Sequence, residues 1–92
     1  MRFVYPAVIK KQENGTYRAD FPDLATCYAE GDTVDECTRN ATLAAYDWID
    51  LEMKEDEPDL PPATQVEDIA LEDGEIARNI LVIYKILEGW EE

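Results

Sequence analysis

The stretch Ala19-Asp20-Phe21-Pro22-Asp23-Leu24-Ala25-Thr26-Cys27-Tyr28-Ala29-Glu30-Gly31-Asp32-Thr33-Val34-Asp35-Glu36 decides how this chain folds. It begins inside an alternating strand, residues 16–21, with Tyr17, Ala19 and Phe21 on one face and Thr16, Arg18 and Asp20 on the other. Pro22 has no amide proton to donate to a ladder, so that strand stops and residues 23–26 turn the chain into a short strand around Cys27-Tyr28-Ala29. Glu30-Gly31-Asp32 then leads to a helix start. Asp32 or Thr33 supplies the N-cap, Thr33 and Glu36 have capping-box spacing, and Asp32, Asp35 and Glu36 place negative charge at the positive end of the helix dipole. Val34, Cys37, Ala41, Leu43, Ala44, Ala45, Trp48, Ile49 and Leu51 follow at roughly helical spacing. The buried stripe is expected to centre on Val34, Cys37, Ala41, Ala45 and Trp48, with alanines small enough to let the helix lie close on a sheet. Its end is expected near Met53 or Lys54.

Upstream, residues 3–10 are rich in β-branched and aromatic side chains and read as a first strand, with Phe3, Tyr5, Ala7 and Ile9 on one face and Val4 and Val8 on the other. Neither face is wholly polar, so something besides the helix should cover the second. Pro6 requires an edge, a bulge or an unpaired position in that strand. Asn14-Gly15 supplies the positive φ of a tight hairpin turn into the second strand.

Downstream, the acidic run from Asp50 to Asp59 and Pro58, Pro61 and Pro62 make residues 55–65 a polar connection, read as a solvated loop. Residues 66–71 suit a short helical turn or an extended arm, and Glu72-Asp73-Gly74-Glu75 is a turn. Residues 80–87 are nearly continuously apolar and read as a strand buried on both sides, with a helix over 76–90 as the competing reading. The result is an α+β chain of order β-β-β-α-β, one domain with its core in 3–56 and 76–88. If the last strand returns beside the first through a right-handed crossover, the two run parallel. Val4, Val8 and alternate residues of the last strand then form an apolar face without a helix, which points to a dimer, a higher oligomer or a bound partner.

At 92 residues the chain can bury roughly two-thirds of the surface its unfolded form exposes. It has 22 acidic and 8 basic side chains, a formal charge of -14, and no histidine. That field repels phosphate backbones, so direct nucleic-acid binding is not expected; it suits either plain solubility or a basic protein partner. Without histidine there is no Ser-His or Cys-His chemistry. Cys27 and Cys37 lie in no metal-ligand spacing and read as reduced core or near-core thiols. No Gly-rich phosphate loop is present, and no cofactor or metal is expected. Asp20, Asp23, Glu30 and Asp32 leave a magnesium-dependent nuclease as the one enzymatic alternative. Neither a signal peptide nor a membrane span is legible, and a cytoplasmic location is expected.

Tyr5-Pro6-Ala7, Asn14-Gly15, Phe21-Pro22-Asp23-Leu24, Cys27, Glu30-Gly31-Asp32-Thr33, Glu36 and Asn40-Ala41 together resemble the N-terminal domain of HicB-type antitoxins. The match is good over 3–56 and looser over 66–84. The resemblance implies a partial ribonuclease-H-like sheet without the nuclease's catalytic carboxylates. It also implies a non-enzymatic antitoxin that neutralises a small basic, mRNA-cleaving HicA toxin by covering its RNA-binding surface. Ala25-Thr26 stands where many relatives carry Pro-Gly. HicB proteins usually continue into an operator-binding domain, whereas this sequence ends at Glu92, so no DNA-binding domain is expected here.

Asp23, Tyr28, Glu30 and Asp32 bracket the bend with acidic and aromatic groups and are the candidate partner-binding residues, although Tyr28 also suits a core and Asp32 a cap. An orphan HicB-like module with another protein partner is the principal alternative function.

Overall fold

β1, Arg2–Lys11, is the strand on which the others assemble. The computed structural model describes residues 1–85. β1 pairs antiparallel with β2, Tyr17–Asp20, in a register that sets Val8 opposite Asp20 and Lys11 opposite Tyr17. Their connection is the turn the Asn-Gly pair calls for: Gly15 holds φ at +92°, its amide donates to the Gln12 carbonyl, and the Asn14 carboxamide oxygen accepts from the Thr16 amide at 3.0 Å. β3, Tyr28–Gly31, pairs antiparallel with β2 across the bend made by Pro22. A fourth strand, β4, Ile76–Ile83, lies on the other side of β1, giving the order β3-β2-β1-β4.

The helix α1, Val34–Met53, crosses one face of this sheet. Its N-cap is Thr33, whose hydroxyl accepts the Glu36 amide at 3.0 Å while the Glu36 carboxylate accepts the Asp32 amide at 2.6 Å. Thr33 thus makes the forward half of a capping box, and the return bond of Glu36 goes to the residue before the cap. Asp32, the other cap candidate, is exposed beside it. The buried stripe is Cys37, Ala41, Ala45 and Ile49, a strict i, i+4 row; Val34 and Trp48 flank it, half-buried. Trp48 is held at the margin because its indole N–H donates to the Ala25 carbonyl at 3.0 Å. Under α1 lie Tyr5, Ala7 and Ile9, Ala19 and Phe21, Ala29, Ile80 and Val82, so the core face alternates along the strands as the sequence pattern requires.

β4 departs from expectation in three ways. It begins four residues earlier than the apolar run from Ile80 suggests; residues 86 and 87, the end of that run, lie outside the described residues. It runs antiparallel to β1, with Ile9 opposite Ile76 and Arg2 opposite Ile83, not parallel. Only one of its faces is buried: Ile80 and Val82 are in the core, while Leu81 and Ile83 are about half exposed. The route of the connection explains the direction. α1 ends beside Met1 and Tyr84, and a direct return from there would have made β4 parallel. Instead, residues 54–75 carry the chain back along the length of β1 before β4 starts.

That connection is anchored, not a free solvated loop. The Tyr5 hydroxyl donates to the Pro61 carbonyl at 2.6 Å. Thr64 donates to Asp23 twice, from its amide at 2.8 Å and its hydroxyl at 2.7 Å. Residues 63–67 then line a cavity with Val4 and Asn79, on the face opposite α1. This strap is a partial second cover for that face, where Pro6 is buried, Val8 half-buried and Val4 still 45% exposed. It contains one turn of 3-10 helix, Val66–Asp68, and ends in a turn at Gly74, φ +84°. Pro6 pairs in register with Asn79 of β4 but lies beyond the β2 pairing, which reaches only Val8, so β1 has an open edge at that point.

Candidate functional site

The alternation that buries Ala29 turns Tyr28 and Glu30 to the opposite, outer face of β3, the edge strand of the sheet. Tyr28 is 50% exposed, so the core alternative for it is set aside. The Arg18 guanidinium lies 4.0 Å from the centre of its ring, and the same guanidinium pairs with Asp20 at 3.1 Å. Arg18 also has its charge reinforced, first by the hydrogen bond it donates to Asp20. Glu30 accepts from the Gln12 side chain at 3.0 Å, and its backbone carbonyl accepts from Asn40 at 2.8 Å, which locks the end of β3 to the second turn of α1. Asp32 and Asp35 are exposed just beyond it.

Of the four candidate residues, Tyr28, Glu30 and Asp32 thus share one exposed corner, where β3 meets the N-terminus of α1. Asp23 does not share their surroundings. It is half-buried, and both of its carboxylate oxygens are taken by Thr64, so it ties the Pro22 bend to the strap. Sequence reading did not find Arg18 as the support of Tyr28. The signal was available in the two-residue spacing of Arg18 and Asp20 on one face, but the ring under the guanidinium comes from the next strand. Asp35 was read only for its effect on the helix dipole.

Asp20, Asp23 and Glu30, three of the four carboxylates that a magnesium site would use with Asp32, have separate partners in Arg18, Thr64 and Gln12. Among the described residues no group of three or more histidine, cysteine or acidic side chains is placed to hold a metal ion. Cys27 and Cys37 are buried and free. Burial, with Asp47 nearby, pushes the Cys27 thiol up to about 11; burial pushes Cys37 up as well, helped by Glu30 and Asp20. Neither has the thiolate character of a reactive cysteine. No helix among the described residues is long and apolar enough to cross a membrane.

Residues 5–87 match the family model described as the HicB-like antitoxin of bacterial toxin-antitoxin systems. The chain belongs to the HicB-like antitoxins. None of the curated proteins matches it in sequence. Among solved structures, the HicB-like chain is similar to the N-terminal domain of the antitoxin HicB from Burkholderia pseudomallei, with 18% identity, a TM-score of 0.74, and coverage of 91% of this chain and all of that one. It is also similar to a chain of a HicA3–HicB3 toxin–antitoxin complex, at 28% identity and a TM-score of 0.64, over 88% of this chain and 96% of that one. A chain of a toxin–antitoxin complex from Streptococcus pneumoniae matches at 17% identity and a TM-score of 0.69, over 100% of this chain and 79% of its own length.

Proposed function

We propose that this HicB-like chain is a stoichiometric antitoxin that binds a small basic toxin of the HicA type and covers the surface with which that toxin holds RNA. The observation that carries the proposal is the exposed corner of Tyr28, Glu30, Asp32 and Asp35 on a chain of net charge -14. A surface that attracts RNA phosphates also attracts carboxylates, so charge steers the encounter and an aromatic anchor with a free strand edge completes the contact. Membership of the family and the presence of similar chains in two toxin–antitoxin complexes support this reading. The chain performs no chemistry in it. The partial ribonuclease-H-like description rests on the β1-β2-β3 meander with α1 across one face.

The test is calorimetric titration of the chain with a HicA-type toxin encoded beside it, at low and moderate salt, together with the toxin's RNA cleavage. Tight binding that weakens with salt and abolishes cleavage is expected. Glu30→Lys with Asp32→Lys should lower affinity roughly tenfold or more and flatten its salt dependence. Asp23→Lys should act through stability, leaving the salt slope as it is. Absence of binding at both salts would overturn the antitoxin reading in favour of a module with another protein partner. Magnesium-dependent RNA cleavage by this chain alone, lost on Asp20→Asn, would overturn the non-enzymatic part.

A further inference from the structure

β3 and β4 are the two outer strands of the sheet, so each has one edge without a strand beside it among the described residues. Charge separates these edges. The β1 and β4 strands hold no acid in a chain that has 22, whereas Glu30 lies within β3 and Asp32 and Asp35 follow it, exposed. A basic protein is therefore drawn to the β3 edge.

Backbone alternation fixes what that edge offers. The Phe21 amide donates to the Cys27 carbonyl at 3.2 Å, in the same register that pairs Ala19 with Ala29 and Tyr17 with Gly31. Cys27, Ala29 and Gly31 thus turn their backbone groups toward β2, and the residues between them, Tyr28 and Glu30, turn theirs outward. The 2.8 Å bond from the Asn40 carboxamide to the Glu30 carbonyl arrives from that outer side. α1 closes the edge at both ends, since Asn40 takes the Glu30 carbonyl and the Trp48 indole takes that of Ala25. Between them the amide and carbonyl of Tyr28 and the amide of Glu30 point away from the sheet, with no backbone partner among the described residues.

We infer that these three groups receive a short extended segment of the basic toxin, which adds to the sheet as one more strand beside β3, an inference that rests on the proposed antitoxin function. The seam centres on Tyr28, whose amide and carbonyl both pair, and stops at Glu30, where Asn40 already holds the carbonyl. Residues directly opposite one another share a face of the sheet. The toxin residue opposite Tyr28 therefore lies on the outer face, beside the ring that Arg18 supports. The one opposite Glu30 is lysine or arginine, an opposite-charge pair across the strands, with Asp32 and Asp35 just beyond. So short a seam adds modest affinity. Its main effect is register: the backbone bonds set which toxin side chain meets Glu30.

Amide hydrogen exchange, read residue by residue by nuclear magnetic resonance in the free chain and in its complex with the toxin encoded beside it, tests the seam. The Tyr28 and Glu30 amides should exchange readily in the free chain and slow by roughly tenfold or more in the complex. The Ala29 amide, directed at β2, is the internal reference and should be protected in both. Tyr28→Ala removes the ring alone, and Tyr28→Pro removes the ring and the outward amide, which an edge strand tolerates. The proline chain should bind the toxin roughly three- to tenfold more weakly than the alanine chain, with the same far-ultraviolet circular dichroism. A tight complex in which the Tyr28 and Glu30 amides exchange as in the free chain would overturn the strand pairing and leave the antitoxin function standing. No complex at low or moderate salt would overturn both.

Discussion

Thr26 holds φ at +60°, the left-handed region, at the tip of the bend between β2 and β3. A β-branched residue there is strained by about 1–3 kcal/mol. Glycine's extra freedom in the unfolded chain costs back about 0.5–1 kcal/mol, so Thr26→Gly should raise stability by about 1 kcal/mol in urea denaturation. Gly31 shows the opposite constraint. A methyl group there would sit 2.5 Å from the Cys37 amide nitrogen and 2.8 Å from its Cα, so β3 passes directly against the first turn of α1. Gly31→Ala must push the helix off the sheet and should cost about 1–3 kcal/mol by the same measurement. A neutral result would mean that the helix start can shift freely.

Among the elements, α1 is specified locally at its start and by tertiary contacts at its end. The Thr33 cap on the Glu36 amide and the Glu36 carboxylate on the Asp32 amide set the first turn. The last turn has no glycine stop; it is fixed where Asp50 accepts the Tyr84 hydroxyl at 2.8 Å and the Lys54 ammonium at 3.0 Å. Tyr84 also packs its ring 5.4 Å from Tyr46. The Tyr84 hydroxyl, then Lys54, holds the Asp50 carboxyl below the usual carboxylate range, and Asp50 in turn raises the Tyr84 phenol above its ordinary value. A depressed carboxyl contributes stability above its unfolded pKa of about 3.9 that is lost as pH falls through the folded value. A raised phenol contributes stability below its unfolded pKa of about 10 that is lost as pH rises through the folded value. Tyr84→Phe removes this hydrogen bond, so its stability profile should be flatter than that of the parent in both windows. Equal slopes in urea unfolding across pH would show that the pair contributes nothing. The strap of residues 54–75 is the element that decides direction, and the bonds of Thr64 to Asp23 and of Tyr5 to Pro61 hold it in place.

For the whole molecule, a charge of -14 on 92 residues opposes compaction as well as steering partners. Added salt screens that repulsion within a Debye length of about 10 Å at 0.1 M, so the thermal midpoint should rise from low salt to moderate salt. A falling midpoint would mean that the ion pairs, such as Arg18 with Asp20, outweigh the repulsion. The same field divides the sheet: acids gather at the β3 corner, and the β1 and β4 strands hold none.

The amino-acid sequence by itself determined the elements whose signals are local. Strand alternation, the Asn14-Gly15 turn, the Pro22 stop and the Thr33-Glu36 pair each act within a few residues, and together they delimit β1, β2, β3 and α1. The family too was legible in the ordered run from Phe21 to Glu36, and so were Tyr28, Glu30 and Asp32 as neighbours, because β3 and the helix start are contiguous in sequence. Only the tertiary structure decided the direction of β4, which depends on where a long acidic connection is pinned. It also decided the role of Asp23, whose partner Thr64 is 41 residues away, and the support of Tyr28 by Arg18 from the adjacent strand. Contacts between distant segments depend on how the whole chain packs, and no periodicity or spacing within one segment encodes them.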